Sequence, residues 1–311
     1  MTTRVLLTVD TELAWRHAAA GFGWEENYAR SVEPAGVGLS YQLDLLERHG
    51  LKACFFVDPM PACRYGIEPV RRMVETVLAR GQEVQLHLHP FWAAASGPVF
   101  ELTGLPESEQ RAHVEQARAL LTEAGAPPPT AFRAGSFGAD DATLAVLARL
   151  GFRHDSSFNA SHSPWPCAIS LGARQNDPIR HCGVTEIPVS HIEDASGSLR
   201  HLQLCAVSWS ELRQALAYAA AMRQQVATIV SHSFEIATRD GLRPNSGVQR
   251  RFERLCAWLA EQRDALPTCH FADLAALRFD ERTPLLRASP WRRLSRMAQQ
   301  AVGNLFYEGR T

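Results

Sequence analysis

Two short patterns of acids and imidazoles carry the strongest chemical signal. Asp10-Thr11-Glu12 and His87-Leu88-His89 each space their polar groups by two residues. Each stands at the end of a short run, Arg4–Val9 and Glu83–His87, that reads as a strand. On an extended strand, residues i and i+2 point to one face, so each pair converges on a point. Two imidazoles and a carboxylate are a common open coordination set for catalytic Zn²⁺. A lone His-x-His is equally well a packed or surface pair; an acidic pair at an equivalent strand end shifts the reading toward a metal. Three further groups end apolar runs: Arg133 after Thr130–Phe132, Asp155 after Phe152, and His232 after Val226–Ser231. An imidazole with its ordinary pKa near ~6.5 suits a general acid if His232 faces the site, and a satisfied core histidine if it does not. Arg133 fits either a bidentate anchor for a carboxylate base or a surface ion pair.

The elements that must position these groups alternate β and α. Further strands are expected at Leu51–Val57, Thr185–Val189, Leu202–Val207 and Thr268–Phe271. Helices are expected at Gly38–His49, Pro69–Arg80, Pro106–Glu123, Asp140–Leu150 and Trp209–Gln224, the last opened by a Ser208/Glu211 capping box. Repeated β/α units imply a parallel sheet with helices outside, and their number suits a barrel or distorted barrel. In such a barrel the C-terminal strand ends build the site, and Asp10, Glu12, His87, His89, Arg133, Asp155 and His232 all fall there. Two segments, Leu13–Ala35 and Ser156–Gly183, read as long loops. The first carries Trp15, Arg16, His17, Phe22, Trp24 and Tyr28, a mixture suited to ring stacking on a sugar or to a loop packing its own aromatics. His154, His162, His181 and His191 cluster around the second.

Composition narrows the class. The chain has 311 residues, 46% apolar and 21% charged, with 32 Lys plus Arg against 33 Asp plus Glu. That balance argues against a dedicated nucleic-acid binder. No apolar run approaches the ~18 residues of a membrane span, and the N-terminal run is too short for a leader. Seven cysteines without C-x-x-C spacing read as reduced thiols, so a cytoplasmic globular protein is expected. One domain is expected over residues 1–280, followed by a basic tail, 281–311. In that tail Trp291, Leu294, Met297, Ala301, Leu305 and Phe306 recur every three or four residues, the pattern of an amphipathic helix. Such a helix would dock on the barrel, join two copies, or touch a membrane surface peripherally.

Taken together, the motifs resemble the polysaccharide deacetylase family, metal-dependent carbohydrate N-deacetylases of the chitooligosaccharide deacetylase type. LLTVDTE (Leu6–Glu12) is similar to the family's first motif, KACFFV (Lys52–Val57) to its ATFFV strand, and GQEVQLHLHP (Gly81–Pro90) to its metal-binding histidine motif. FRAGSFG with GFRHDSS (within Phe132–Ser157) resembles the third motif and the strand after it, and VSHSFE (Val230–Glu235) the last. The resemblance spans Leu6 to about Ala272 and implies a distorted (β/α) barrel of about seven parallel strands. It further implies Asp10 as catalytic base oriented by Arg133, and His232 as catalytic acid, with Asp155 expected to hold His232 charged. Glu12, His87 and His89 would hold a divalent metal, most simply Zn²⁺. Trp15, Arg16, Trp24, Trp92 and Phe137 are the candidate substrate contacts, for an N-acetylated sugar or oligosaccharide. Two departures stand out: Thr11 occupies the place of the usual acidic ligand, and Phe91 that of the usual second histidine. They point to a divergent branch nearer the intracellular enzymes of surface-polysaccharide synthesis. Amidase chemistry on a cyclic amide or formamide, and a non-catalytic carbohydrate-binding relic, remain the alternatives.

Overall fold

The computed structural model describes residues 2–93, 99–194, 197–274, 276–279, 282–289, 291 and 296–297. Its strands, in chain order, are β1 (Arg4–Thr11), β2 (Cys54–Val57), β3 (Glu83–Leu88), β4 (Ala131–Ala134), β5 (His154–Asp155), β6 (Ile179–His181), β7 (Val184–Glu186), β8 (His191–Glu193), β9 (Leu199–His201) and β10 (Val226–His232). Its helices are α1 (Trp15–Ala19), α2 (Trp24–Ser31), α3 (Leu39–His49), α4 (Ala62–Tyr65), α5 (Glu68–Leu78), α6 (Glu107–Glu123), α7 (Asp141–Arg149), α8 (Trp209–Ala221) and α9 (Ser246–Glu261).

The main sheet runs β10-β1-β2-β3-β4-β5-β7-β6. Seven of these strands are parallel neighbours and β6 folds back antiparallel on β7. No ladder joins β7 to β10. Instead the chain after β7 crosses the gap irregularly: Ser190 N–H donates to the Thr228 carbonyl, and Leu204 N–H to that of Val230. The result is a distorted (β/α) barrel, closed on one side by non-repetitive chain.

Alternation along the strands separates structure from chemistry. On β1, Val5, Leu7 and Val9 pack outward into the large apolar layer under the helices. Leu6 faces the other way, into a small cluster with Cys54, Phe56, Ala131, Ile187 and Val226, closed from below by Phe271. Thr8, Asp10 and Glu12 continue that inner face upward, as period two requires. Along β3, Val84, Leu86 and Leu88 pack outward while His87 and His89 share the inner face. The interior is therefore apolar at one end and ionisable at the other.

The helices follow their local signals. α3 buries Leu39, Leu43 and Leu46 and stops at Gly50, whose φ of 62° is the left-handed cap glycine tolerates. α7 begins with an Asp140/Thr143 capping box and α8 with the expected Ser208/Glu211 box. Several expectations are corrected. Leu13–Ala35 is not a loop: α1 and α2 occupy it, because Tyr28, Asn27 and Ser31 bury one helical face. Leu202–Val207 and Thr268–Phe271 contribute single bridges rather than strands. The β8–β9 hairpin and α9 were not anticipated, although Val248, Phe252, Leu255 and Leu259 are spaced for the buried face that α9 shows.

Of the tail, Leu286 and Ala288 bond to the backbone of Glu193, and the Arg296 guanidinium reaches buried Glu211 at 3.2 Å. The rest of the expected amphipathic helix, with Leu294, Ala301, Leu305 and Phe306, lies outside the described residues. Among the described residues no helix is long and apolar enough to cross a membrane.

Asp155 and Glu186 are register partners on β5 and β7, and both are fully buried. Burial first, then the charge of Asp155, pushes the Glu186 carboxyl well above the usual range, so Glu186 keeps a proton between the two groups. Asp155 accepts from the Ser157 N–H at 2.9 Å and its hydroxyl at 2.8 Å. A carboxyl whose pKa is raised by folding stabilises the fold below its unfolded pKa and loses that contribution as pH rises through its folded pKa. Glu186→Gln retains a donor toward Asp155 with no proton to lose. Its stability relative to the native chain should therefore improve from about pH 5 to about pH 8 in urea denaturation; parallel pH slopes would contradict the shared proton.

Candidate active site

The inner-face residues of β1, β3, β4 and β10 meet at a cavity of about 110 Å³ lined by Asp10, Glu12, His87, His89, Ala134, Ser136, Phe137 and His232. Glu12 Oε2 lies 2.5 Å from His89 Nε2 and 3.5 Å from His87 Nε2. His87 Nδ1 donates to the Arg133 carbonyl at 2.8 Å. A carbonyl only accepts, so Nδ1 carries a proton and Nε2 is the ring nitrogen that faces the Glu12 carboxylate. One carboxylate oxygen and two imidazole nitrogens thus lie within 4.8 Å of one another, a donor set that a divalent cation fits. Burial tends to raise the Glu12 carboxyl, but the charges and hydrogen bonds of His89 and His87 hold it well below its usual value. Asp58, at the end of β2, stands beside His89; burial drives its carboxyl up to about 7. The Cβ that any other residue would carry at position 135 would fall 2.3 Å from His89 Nδ1, so Gly135 lets β4 pass close to that ring.

Asp10 and His232 are each held by a buried partner. Arg133, wholly buried, donates from one nitrogen to Asp10 Oδ1 and to the Thr8 hydroxyl, both at 2.8 Å. Its Nε donates to the Ser156 carbonyl and its other terminal nitrogen to the Ser156 hydroxyl, both at 3.1 Å, and the Phe56 ring lies 4.4 Å beneath. The other oxygen of Asp10 points toward His232 Nε2, 3.9 Å away. His232 Nδ1 bonds to Glu235 Oε2 at 2.9 Å. Burial alone would lower the His232 ring, yet the hydrogen bond and charge of Glu235, followed by Asp10 and Glu12, raise it to about 9. Glu235 is in turn fixed by the Cys205 N–H and by Gln203 Nε2 at 3.3 Å. The Gln203 amide oxygen meets His201 Nε2 at 2.7 Å, so further polar side chains stand behind the His232–Glu235 pair.

The expected partner of His232 is corrected: Asp155 is committed to Ser157 and Glu186, and Glu235 takes its place. The VSHSFE run already contained Glu235, three residues from His232 and so within one turn of it; the tight turn after β10 makes the pair local. Among the proposed substrate contacts, Phe137 lines the cavity, while Trp15, Arg16, Trp24 and Trp92 do not. Trp15 and Trp92 pack together with Phe91 at 5.1–5.3 Å, and the Phe91 ring meets that of His89 at a tilt, 4.8 Å away, so they form a wall behind the histidine. Trp24 packs on Tyr28, away from the site. Arg16 lies 5.3 Å over Phe234, whose ring stacks on His232. Ser136 and Phe137 hold positive φ of 54° and 59°, strained backbone at the cavity floor.

Residues 38–154 match the family model of polysaccharide deacetylases. Among solved structures, the chain is similar to a Mycobacterium smegmatis protein provisionally described as a polysaccharide deacetylase, 19% identical over 90% of this chain and 94% of that one, with a TM-score of 0.55. It is also similar to a 4-alpha-glucanotransferase from Thermococcus litoralis, 10% identical over 93% of this chain and 42% of that one, again at 0.55. A family 4 carbohydrate esterase from Streptomyces lividans, solved with acetate, aligns over 89% of this chain and 98% of its own at 16% identity and a TM-score of 0.46. No curated protein matches the sequence. The first two structures share the barrel fold. Over residues 38–154 the chain is thus similar in sequence to the polysaccharide deacetylases.

Glu235→Gln removes the charge that keeps His232 protonated. The titration of His232, followed by NMR, should fall from about 9 by more than about one unit; an unmoved titration would show that another group holds the proton.

Proposed function

We propose that the protein is a metal-dependent hydrolase that removes an N-acetyl group from an amino sugar of polysaccharide or glycoconjugate synthesis. One observation carries this reading. A carboxylate fixed by a buried arginine and an imidazolium fixed by a buried carboxylate face each other at 3.9 Å beside the Glu12, His87 and His89 set. A divalent cation held by those three side chains would polarise the acyl carbonyl and make a water molecule more acidic. Asp10, with one oxygen tied to Arg133, keeps its other oxygen for the proton of the attacking water. Its ion pair with Arg133 fixes its direction. His232 starts protonated and donates from Nε2 to the departing nitrogen, which leaves as an amine only once it has gained a proton. Glu235 binds the opposite nitrogen of the ring, so the proton at Nε2 is the one that moves. Phe137 and Ala134 close the floor, which leaves room for a small acyl group rather than a sugar ring.

The alternative amidase reading differs only in the acyl group and its carrier. Release of acetate, formate and ring-opened product from N-acetyl sugars, N-formyl sugars and cyclic amides separates the two. Acetate from an N-acetylated sugar supports the proposal; turnover confined to the other classes would replace it. With an active substrate, Asp10→Asn should lower kcat by roughly 10²- to 10⁴-fold while leaving metal content unchanged. Because the acid works protonated, activity should fall as pH rises through about 9, and this basic limb should move to lower pH in Glu235→Gln. A Glu235→Gln profile that superimposes on the native one would remove His232 from the acid role.

A further inference from the structure

A second group of ligand-type side chains lies at the opposite edge of the sheet, where β6 folds back on β7. Asp141 opens α7, and His181 and Cys182 lie at the β6–β7 turn. A carboxylate oxygen, an imidazole nitrogen and the thiol sulfur all stand within 4.8 Å of one another. Around one zinc ion, with bonds of about 2.0–2.3 Å, ligand atoms sit within about 4 Å, so the set needs to contract by only about 1 Å. The Asp141 carboxylate is already oriented: its Oδ1 accepts from the Ser170 N–H at 2.9 Å and faces His181 Nε2 at 2.9 Å. The same carboxylate-to-imidazole approach marks the Glu12 and His89 pair in the catalytic cavity. Cys182 and Gly183 form the two-residue turn, with φ of 45° and 91°, and the turn rests on Ala148 of α7. Hairpins of this type favour Asn or Gly at the first of these positions. Here a thiol occupies it, exposed and beside two other ligands.

We propose that Asp141, His181 and Cys182 form a second metal site, one that takes a thiophilic divalent ion such as Zn²⁺ and ties the β6–β7 hairpin to α7. The chemistry of the set separates it from the catalytic one. Glu12, His87 and His89 supply only oxygen and nitrogen, whereas this group adds sulfur, which zinc and cobalt bind as thiolate. Burial, then the charge of Asp141, raises the pKa of the Cys182 thiol, so the free thiol stays protonated and ion binding releases its proton. One bond forms from sulfur to the metal as the S–H proton passes to solvent, with no change of oxidation state. The fourth position is left to water. The site depends on neither the deacetylase reading nor the state of the catalytic cavity.

Cobalt(II) titration of the reduced full-length protein tests this directly. A thiolate-to-cobalt charge-transfer band in the near-ultraviolet should appear and saturate by two equivalents per chain, one for each site. It should persist in the His87→Ala, His89→Ala double variant, which lacks the catalytic ligands. Cys182→Ser should abolish it, and Asp141→Asn with His181→Ala should weaken binding by at least tenfold, with circular dichroism confirming that each variant is folded. No band in the native chain would overturn the proposal. So would a band that never saturates, or one that survives unchanged in the Asp141 and His181 variant, since another exposed thiol such as Cys63 or Cys205 would then be its source.

Discussion

Everything at the catalytic end of the barrel leans on the buried guanidinium of Arg133. A charge removed from water costs several kcal/mol unless it is paired and its donors are used. Here Asp10 supplies the opposite charge, Thr8 and Ser156 take further N–H groups, and the Phe56 face lies beneath. These contacts tie β4 to β1 and to the segment after β5. The residue acts through its backbone as well, since its carbonyl fixes which nitrogen of His87 carries the proton. One position thus orients Asp10 with its side chain and His87 with its main chain. The register His87↔Arg133 between β3 and β4 makes that second contact possible.

A repeated device then supplies the remaining groups. Each ionisable side chain at the rim has a partner that holds it: Arg133 for Asp10, Glu235 for His232, and the two histidines for Glu12. Glu235 favours the charged form of His232, whose Nε2 stands 3.9 Å from the Asp10 carboxylate in one small cavity. That separation of roles is what acid–base hydrolysis of an amide requires. The apolar plug of Leu6, Phe56 and Ala131 below keeps these charges at the open end of the barrel.

Much of this was legible in the sequence because it depends on short-range regularities. Period two on β1 and β3 put Asp10 with Glu12 and His87 with His89 on one face, and strand ends in a parallel barrel gather by topology. What escaped depended on distant pairing or on choosing between neighbours. Asp155 looked available for His232, but its adjacency to Glu186 follows from β5 lying beside β7, which no local pattern reveals. The irregular crossing from β7 to β10 likewise follows from closure of the whole barrel. Trp15 and Trp92 carried the composition of a sugar platform, yet they pack behind His89, where their apolar area is better used. The helix α9 is a different kind of miss, because its buried-face spacing was present in the chain.

The most direct test of the central claim is anomalous diffraction at the zinc edge from crystals grown with zinc. The account predicts a peak at about 2.0–2.2 Å from Glu12 Oε2, His87 Nε2 and His89 Nε2, with Asp10 and His232 outside bonding distance of the ion. Crystals that carry zinc elsewhere but show no peak between Glu12 and the two histidines would contradict it.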